Sequence, residues 1–208
     1  MPDLTEKTLE EFAAGLASKA PVPGGGGAAA YSASMAAALC AMACRLTSGK
    51  KQFEACEAEI QELLARSDSI RARLCELVSE DAAVFEPLSK AWKIPKDDPS
   101  RARIMEECTL KAASVPMETL RLCAETARIC AELMDGKVTE LMVSDAGTAC
   151  ELARGAAAAS LFNVEVNTAS LRDRAAAEEL NAEAARLYGE CEELTASVFR
   201  AVTERLKR

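Results

Sequence analysis

Between Phe53 and Leu88 the apolar positions form one long stripe. Phe53, Cys56, Ile60, Leu63, Ser67, Ile70, Leu74, Val78, Asp81, Phe85 and Leu88 advance by three or four residues at a time, which sets their side chains on one face of an α-helix. Asp81 stands where that stripe requires an apolar residue, and Pro87 predicts a kink or an end nearby because it removes a backbone donor. Ahead of the stripe, Thr8-Leu9-Glu10-Glu11 fits a capping box, and Leu9, Phe12 and Leu16 mark a short helix that Pro21 stops. A second helix should follow the run Pro21-Val22-Pro23-Gly24-Gly25-Gly26-Gly27 and end near Ser48-Gly49.

Beyond the stripe, Ile94-Pro95-Lys96-Asp97-Asp98-Pro99 reads as a loop, with Ser100 placed to cap a helix that bends at Pro116 and continues to Asp135-Gly136. Ser144-Asp145 can cap an alanine-rich helix reaching about Phe162, and Asn163-Val164-Glu165-Val166-Asn167 reads as an extended or irregular link. The last helix begins between Leu171 and Arg174 and carries Leu180, Ala184, Leu187, Cys191, Leu194 and Val198 on one face. No long strand pattern, internal repeat or low-complexity linker interrupts this series. The prediction is an all-α fold, a single domain over residues 1–208 built as a bundle of long antiparallel helices.

Composition constrains how such a bundle packs. Half the 208 residues are apolar but only 4% are aromatic, so the core must be made of Ala, Leu, Val, Met and Cys, and its helices must approach closely. A net charge of −8 with no histidine argues against nonspecific nucleic-acid binding. None of the nine cysteines forms a Cys-x-x-Cys pair and no histidine is present to complete a mixed site, so no metal is expected and the thiols read as small hydrophobes in a reducing, cytoplasmic compartment. The start, Met1 to Lys7, is polar and lacks the apolar region of a signal peptide. Ala28 to Cys44 approaches the length of a membrane span, but Tyr31, Ser32 and Ser34 interrupt it, so a buried core helix and no membrane association are expected.

Two features carry candidate chemistry. The glycine run costs backbone entropy at each position and opens a helix whose free N–H groups favour an anion; it serves either tight packing or a bound ligand. Gly24, Gly26 and Ala29 fit part of a dinucleotide fingerprint, but the required preceding strand is missing, and no Gly-Lys-Ser/Thr completes a phosphate loop. Asp81 is paired with a buried base, exposed by a groove, or desolvated so that it can exchange a proton near neutrality. Without histidine, acid–base work falls to Asp, Glu, Lys, Cys or Tyr. Ser144, Asp145, Asn163, Asn167 and Asp173 read most simply as caps and turn formers. Lys50 and Lys51, just past the helix that the glycine run opens, are the candidate cations for an anionic ligand, with Arg101 and Arg103 as the alternative.

Taken in order, these segments, with Leu46-Thr47-Ser48-Gly49-Lys50-Lys51, Glu80-Asp81-Ala82-Ala83-Val84-Phe85, Ile94-Pro95-Lys96 and Ser114-Val115-Pro116, resemble the formiminotransferase-cyclodeaminase C-terminal domain family over nearly the whole chain. The resemblance implies an all-helical homodimer with a folate site in a cleft containing the glycine loop. It implies a tetrahydrofolate derivative as substrate, no further cofactor, and Asp81 as the proton donor. By the same resemblance Gly24, Gly25, Gly26, Gly27, Lys50, Lys51, Ser144, Asp145, Asn163, Asn167 and Asp173 are expected to bind substrate. The fourth glycine, and an acid between the two asparagines, depart from the family's usual residues. Two reactions are implied, hydrolysis of 5,10-methenyltetrahydrofolate and cyclising deamination of formimidoyltetrahydrofolate; with no formiminotransferase domain attached, the hydrolysis is placed ahead. A non-catalytic helical dimerisation module is the alternative from another class.

Overall fold

The structure, a computed structural model, describes residues 3–207; Met1, Pro2 and Arg208, assigned above to the same domain, lie outside the described residues. Six α-helices dominate: α1 (Leu9–Leu16), α2 (Gly25–Thr47), α3 (Glu57–Ala91), α4 (Arg101–Met134), α5 (Val143–Thr168) and α6 (Arg174–Arg205). The described residues contain no strand. Helix α2 lies between α3 and α5, α6 lies beside α5, and α4 touches all four from behind.

Alanine sets the spacing. Ala30, Ala33, Ala36 and Ala43 of α2 and Ala146, Ala149, Ala153 and Ala157 of α5 are fully enclosed, so these two helices meet over methyl groups. Six of the nine cysteines are buried and all nine are free thiols. Cys40 and Cys130 bring their Sγ atoms to 3.4 Å across the α2–α4 contact. Burial pushes the Cys44 and Cys191 thiols up to about 12, which leaves them protonated and unreactive.

Direction along the bundle follows from ion pairs at seven-residue spacing. Arg73 of α3 binds Glu118 of α4 at 2.7 Å and Arg66 binds Glu125 at 2.5 Å, so α3 and α4 run antiparallel. Arg121 and Arg128 of α4 hold Glu183 at 2.8 Å and Glu190 at 2.7 Å on α6, which makes that pair parallel. These pairs are partly solvated and mainly fix register.

Several boundaries differ from the sequence reading, each for a local reason. Helix α2 begins within the glycine run, at Gly25. In line with the sequence reading, α3 passes Pro87 and ends nearby at Ala91, and α4 continues through Pro116 to Met134. Ser100 does not cap α4 with its side chain; its N–H and hydroxyl both donate to Asp98 Oδ1, at 2.8 and 2.7 Å. Helix α5 starts at Val143, so Ser144 and Asp145 sit inside its first turn, where a carboxylate suits the helix dipole. The segment expected as a link, residues 163–167, is the last part of α5. Val164 is fully buried there, while Asn163 and Asn167 donate their amides back to the carbonyls of Ala159 and Asn163, so tertiary burial overrides a poor intrinsic helix former. The Thr8–Glu11 capping box and the α6 start at Arg174 match expectation. Helix α2 is the one described helix long and apolar enough to cross a membrane, and 61% of its most apolar window is buried among its neighbours.

Candidate active site

The first turn of α2 rests on the Asp81 carboxylate of α3. Gly24, at the N-cap position, has no side chain to satisfy the helix start, and Asp81 Oδ2 takes that part by accepting the Gly27 N–H at 2.9 Å. A Cβ built on Gly26 would lie 2.1 Å from Asp81 Oδ1, so only glycine lets the helix backbone approach the carboxylate this closely. Gly27 is tight as well, its added Cβ meeting the Val78 carbonyl at 3.4 Å. Gly24 and Gly25 are not confined in this way, the nearest atom to a Gly25 Cβ being Asn163 Nδ2 at 3.5 Å. None of the four needs a positive φ; the glycines with positive φ are Gly49 and Gly136, just beyond the ends of α2 and α4.

Asp81 is half-buried and has one hydrogen bond among the described residues, which leaves Oδ1 without a donor from them. Burial pushes its pKa up from the ordinary carboxylate value, and the Gly27 N–H opposes that rise. A carboxyl so placed can exchange a proton with a ligand at the mouth, where Gly25 is exposed and Asn163 and Asn167 are partly exposed. The two asparagines lie one helical turn apart on α5, with their amide nitrogens occupied by carbonyls of that helix. Their Oδ1 atoms accept no hydrogen bond from the described residues and can accept one from a ligand.

The structure therefore gathers Gly24 to Gly27, Asp81, Asn163 and Asn167 at one end of the bundle, the glycine end. Asp173 follows α5 at the same end, but its side chain is occupied as the cap of α6, accepting from Ala176 N at 3.0 Å. Lys50 and Lys51 do not join the group. They follow the far end of α2, whose 23 residues span about 34 Å. Ser144 and Asp145 are also distant, at the start of α5, about 27 Å from Asn163 along that helix. At this lysine end a hollow is lined by Lys50, Lys51, Gln52 and Thr139. Thr139 is buried and its hydroxyl has no hydrogen-bond partner among the described residues, a feature with no signature in the sequence. Arg101 and Arg103 are engaged elsewhere, with the Ile94 carbonyl at 3.0 Å and with Glu107 at 2.8 Å. Among the described residues no cluster of His, Cys, Asp or Glu could hold a metal ion.

The class of protein that fold and site define is an all-helical bundle in which a half-buried carboxylate meets a glycine-rich helix start. The chain belongs to the formiminotransferase-cyclodeaminase family, which matches residues 8–186. It is 36% identical over 204 residues to a methenyltetrahydrofolate cyclohydrolase of Methylorubrum extorquens, covering 96% of this chain and 98% of that protein. The formimidoyltransferase-cyclodeaminase of Sus scrofa is 37% identical over 118 residues, 55% of this chain but 22% of that protein. The crystal structure of formiminotetrahydrofolate cyclodeaminase from Thermotoga maritima superposes with a TM-score of 0.83 at 25% identity, covering 98% of each chain.

Proposed function

We propose that the chain is a folate one-carbon enzyme that hydrolyses 5,10-methenyltetrahydrofolate to 10-formyltetrahydrofolate, with Asp81 as its acid–base group. The observation that carries the reading is the Asp81 carboxyl, desolvated and held at the glycine end with one oxygen free. The end-to-end likeness to a methenyltetrahydrofolate cyclohydrolase supports it. Asp81 takes a proton from water as the water oxygen bonds to the methenyl carbon between N5 and N10. The adduct then collapses: the C–N5 bond breaks, its electron pair goes to N5, and Asp81 returns its proton there. The adduct's hydroxyl loses its proton to solvent as the formyl C=O forms on N10. The net reaction consumes one water and releases one proton. Gly25, Asn163 and Asn167 would orient the ring system at the mouth. A homodimer in the cytoplasm, acting without a further cofactor, completes this reading.

The equal-length likeness to the Thermotoga maritima cyclodeaminase favours a second reaction on the same carbon, in which N10 attacks a formimino carbon on N5 and ammonia departs. Asp81 must then be protonated to assist the leaving nitrogen. The two roles give opposite pH limbs. As a base in hydrolysis, Asp81 makes kcat/KM fall as pH drops through its pKa, and burial moves that limb upward from the ordinary aspartate value. As an acid in deamination, it makes kcat/KM fall as pH rises through the same value. Profiles recorded with each substrate check the assignment; a hydrolysis profile without a carboxylate limb contradicts it.

A further inference from the structure

We propose that the end of α3 is the tail-binding arm of this site: Phe85 and Trp92 take the aminobenzoyl ring and first glutamate of the substrate, and Lys93 and Lys96 take the carboxylates of further γ-linked glutamates. The inference rests on the folate reading above and adds which residues bind the part of the substrate that does not react.

The arm exists because two neighbouring helices end at different levels. Helix α2 begins at Gly25, about 3 Å along its axis from the Gly27 N–H that meets Asp81. Helix α3 runs on past Asp81 to Ala91, about 15 Å further. Its last turns therefore project beyond the start of α2. Asp81, Phe85, Leu88 and Trp92 continue the α3 stripe at steps of four, three and four, so they share one face. Leu88 is buried, but Phe85 is only half-buried and Trp92 is 53% exposed, their rings edge to face with centroids 5.5 Å apart. An exposed aromatic pair on the same face as a reactive carboxyl has the character of a binding surface. Its position suits the substrate. The aminobenzoyl ring is attached to N10, the atom next to the reacting carbon, and Phe85 stands one turn, about 6 Å, from Asp81.

Beyond the rings the arm turns basic, in a chain whose net charge is −8. Lys90 is paired with Glu86 at 2.7 Å, but Lys93 and Lys96 are exposed and form no ion pair among the described residues. Of the two acids in this turn, Asp98 is occupied by the Ser100 N–H and hydroxyl, at 2.8 and 2.7 Å, which leaves Asp97 against two lysines. Arg101 donates from Nε to the Ile94 carbonyl at 3.0 Å and so ties the turn that presents them. The lysines follow the end of α3, past the rings, where a second and a third glutamate would lie. A polyanion fits this surplus of positive charge.

The test reads binding apart from turnover. Tetrahydrofolate lacks the one-carbon unit and cannot react, so calorimetry with its monoglutamyl and triglutamyl forms measures affinity without chemistry. The wild-type chain should bind the triglutamate at least tenfold more tightly, and rising salt should narrow that gap. Lys93→Glu with Lys96→Glu changes two exposed positions and should leave the fold intact. It should weaken the triglutamate at least tenfold and the monoglutamate about twofold or less. Phe85→Leu and Trp92→Leu should each weaken both forms alike, by about threefold or more. Trp92 is the chain's one tryptophan, so its emission reports on the arm directly and should shift with either ligand. A lysine variant that keeps the wild-type affinity for the triglutamate overturns the arm, as does Trp92 emission that saturating ligand leaves unchanged. A chain that shows the tail preference but does not hydrolyse the methenyl compound supports the arm and strikes the hydrolytic reading instead.

Discussion

Asp81→Asn is expected to lower turnover by about two to four orders of magnitude, the scale for losing a general acid or base. The asparagine amide oxygen can still accept the Gly27 N–H that Asp81 Oδ2 accepts at 2.9 Å, so the start of α2 remains satisfied. The variant should therefore fold, and its melting temperature should not fall. At neutral pH the ionised carboxylate is disfavoured by burial, and the amide removes that cost. The sign can be checked by titration. Because the folded-state pKa is raised, the native state holds its proton to higher pH than the unfolded chain does. This group's contribution to wild-type stability therefore declines as pH rises from the unfolded pKa through the folded one, and the decline is absent in the variant. Calorimetry over that range, alongside steady-state kinetics, separates catalysis from folding. A variant that melts far below the wild type would make Asp81 a structural cap.

Gly26→Ala should disable the site through Asp81. Its Cβ would fall 2.1 Å from Oδ1 and 2.6 Å from Cγ, so the carboxylate must swing away and give up the Gly27 N–H. Turnover should drop by about two orders of magnitude or more, with a stability loss of about 1–3 kcal/mol from overpacking. Gly155→Ala, inside α5 and away from Asp81, is the control, because a Cβ there meets nothing within 4 Å. Combined with Asp81→Asn, Gly26→Ala should lower turnover little further, since both act on one group. Full additivity in that double variant would assign Gly26 a role of its own.

The helical architecture was legible in the apolar stripes of α3 and α6, and the misplaced residue in the α3 stripe, Asp81, is the one that meets the glycine start of α2. The glycine run was legible as important but not for its reason. It reads as a loop offered to a ligand, whereas Gly26 and Gly27 are helical and lack side chains so that α3 can approach. Nothing local in the sequence records that contact, because Asp81 lies 54 residues from its hydrogen-bond partner. Residues 163–167 misled for a related reason. Asparagine and valine are weak helix formers, and only the burial of Val164 against the rest of the bundle makes that segment helical. Lys50 and Lys51 look close to the glycines in sequence, but one straight helix between them places them at opposite ends of the fold.

The central claim is most directly tested by following methenyltetrahydrofolate absorbance with the purified wild-type chain. With the methenyl compound supplied, the account predicts loss of absorbance well above the uncatalysed rate, 10-formyltetrahydrofolate as the product, and no ammonia. Absorbance that decays at the uncatalysed rate, while formimidoyltetrahydrofolate is converted with release of ammonia, would contradict the hydrolytic assignment.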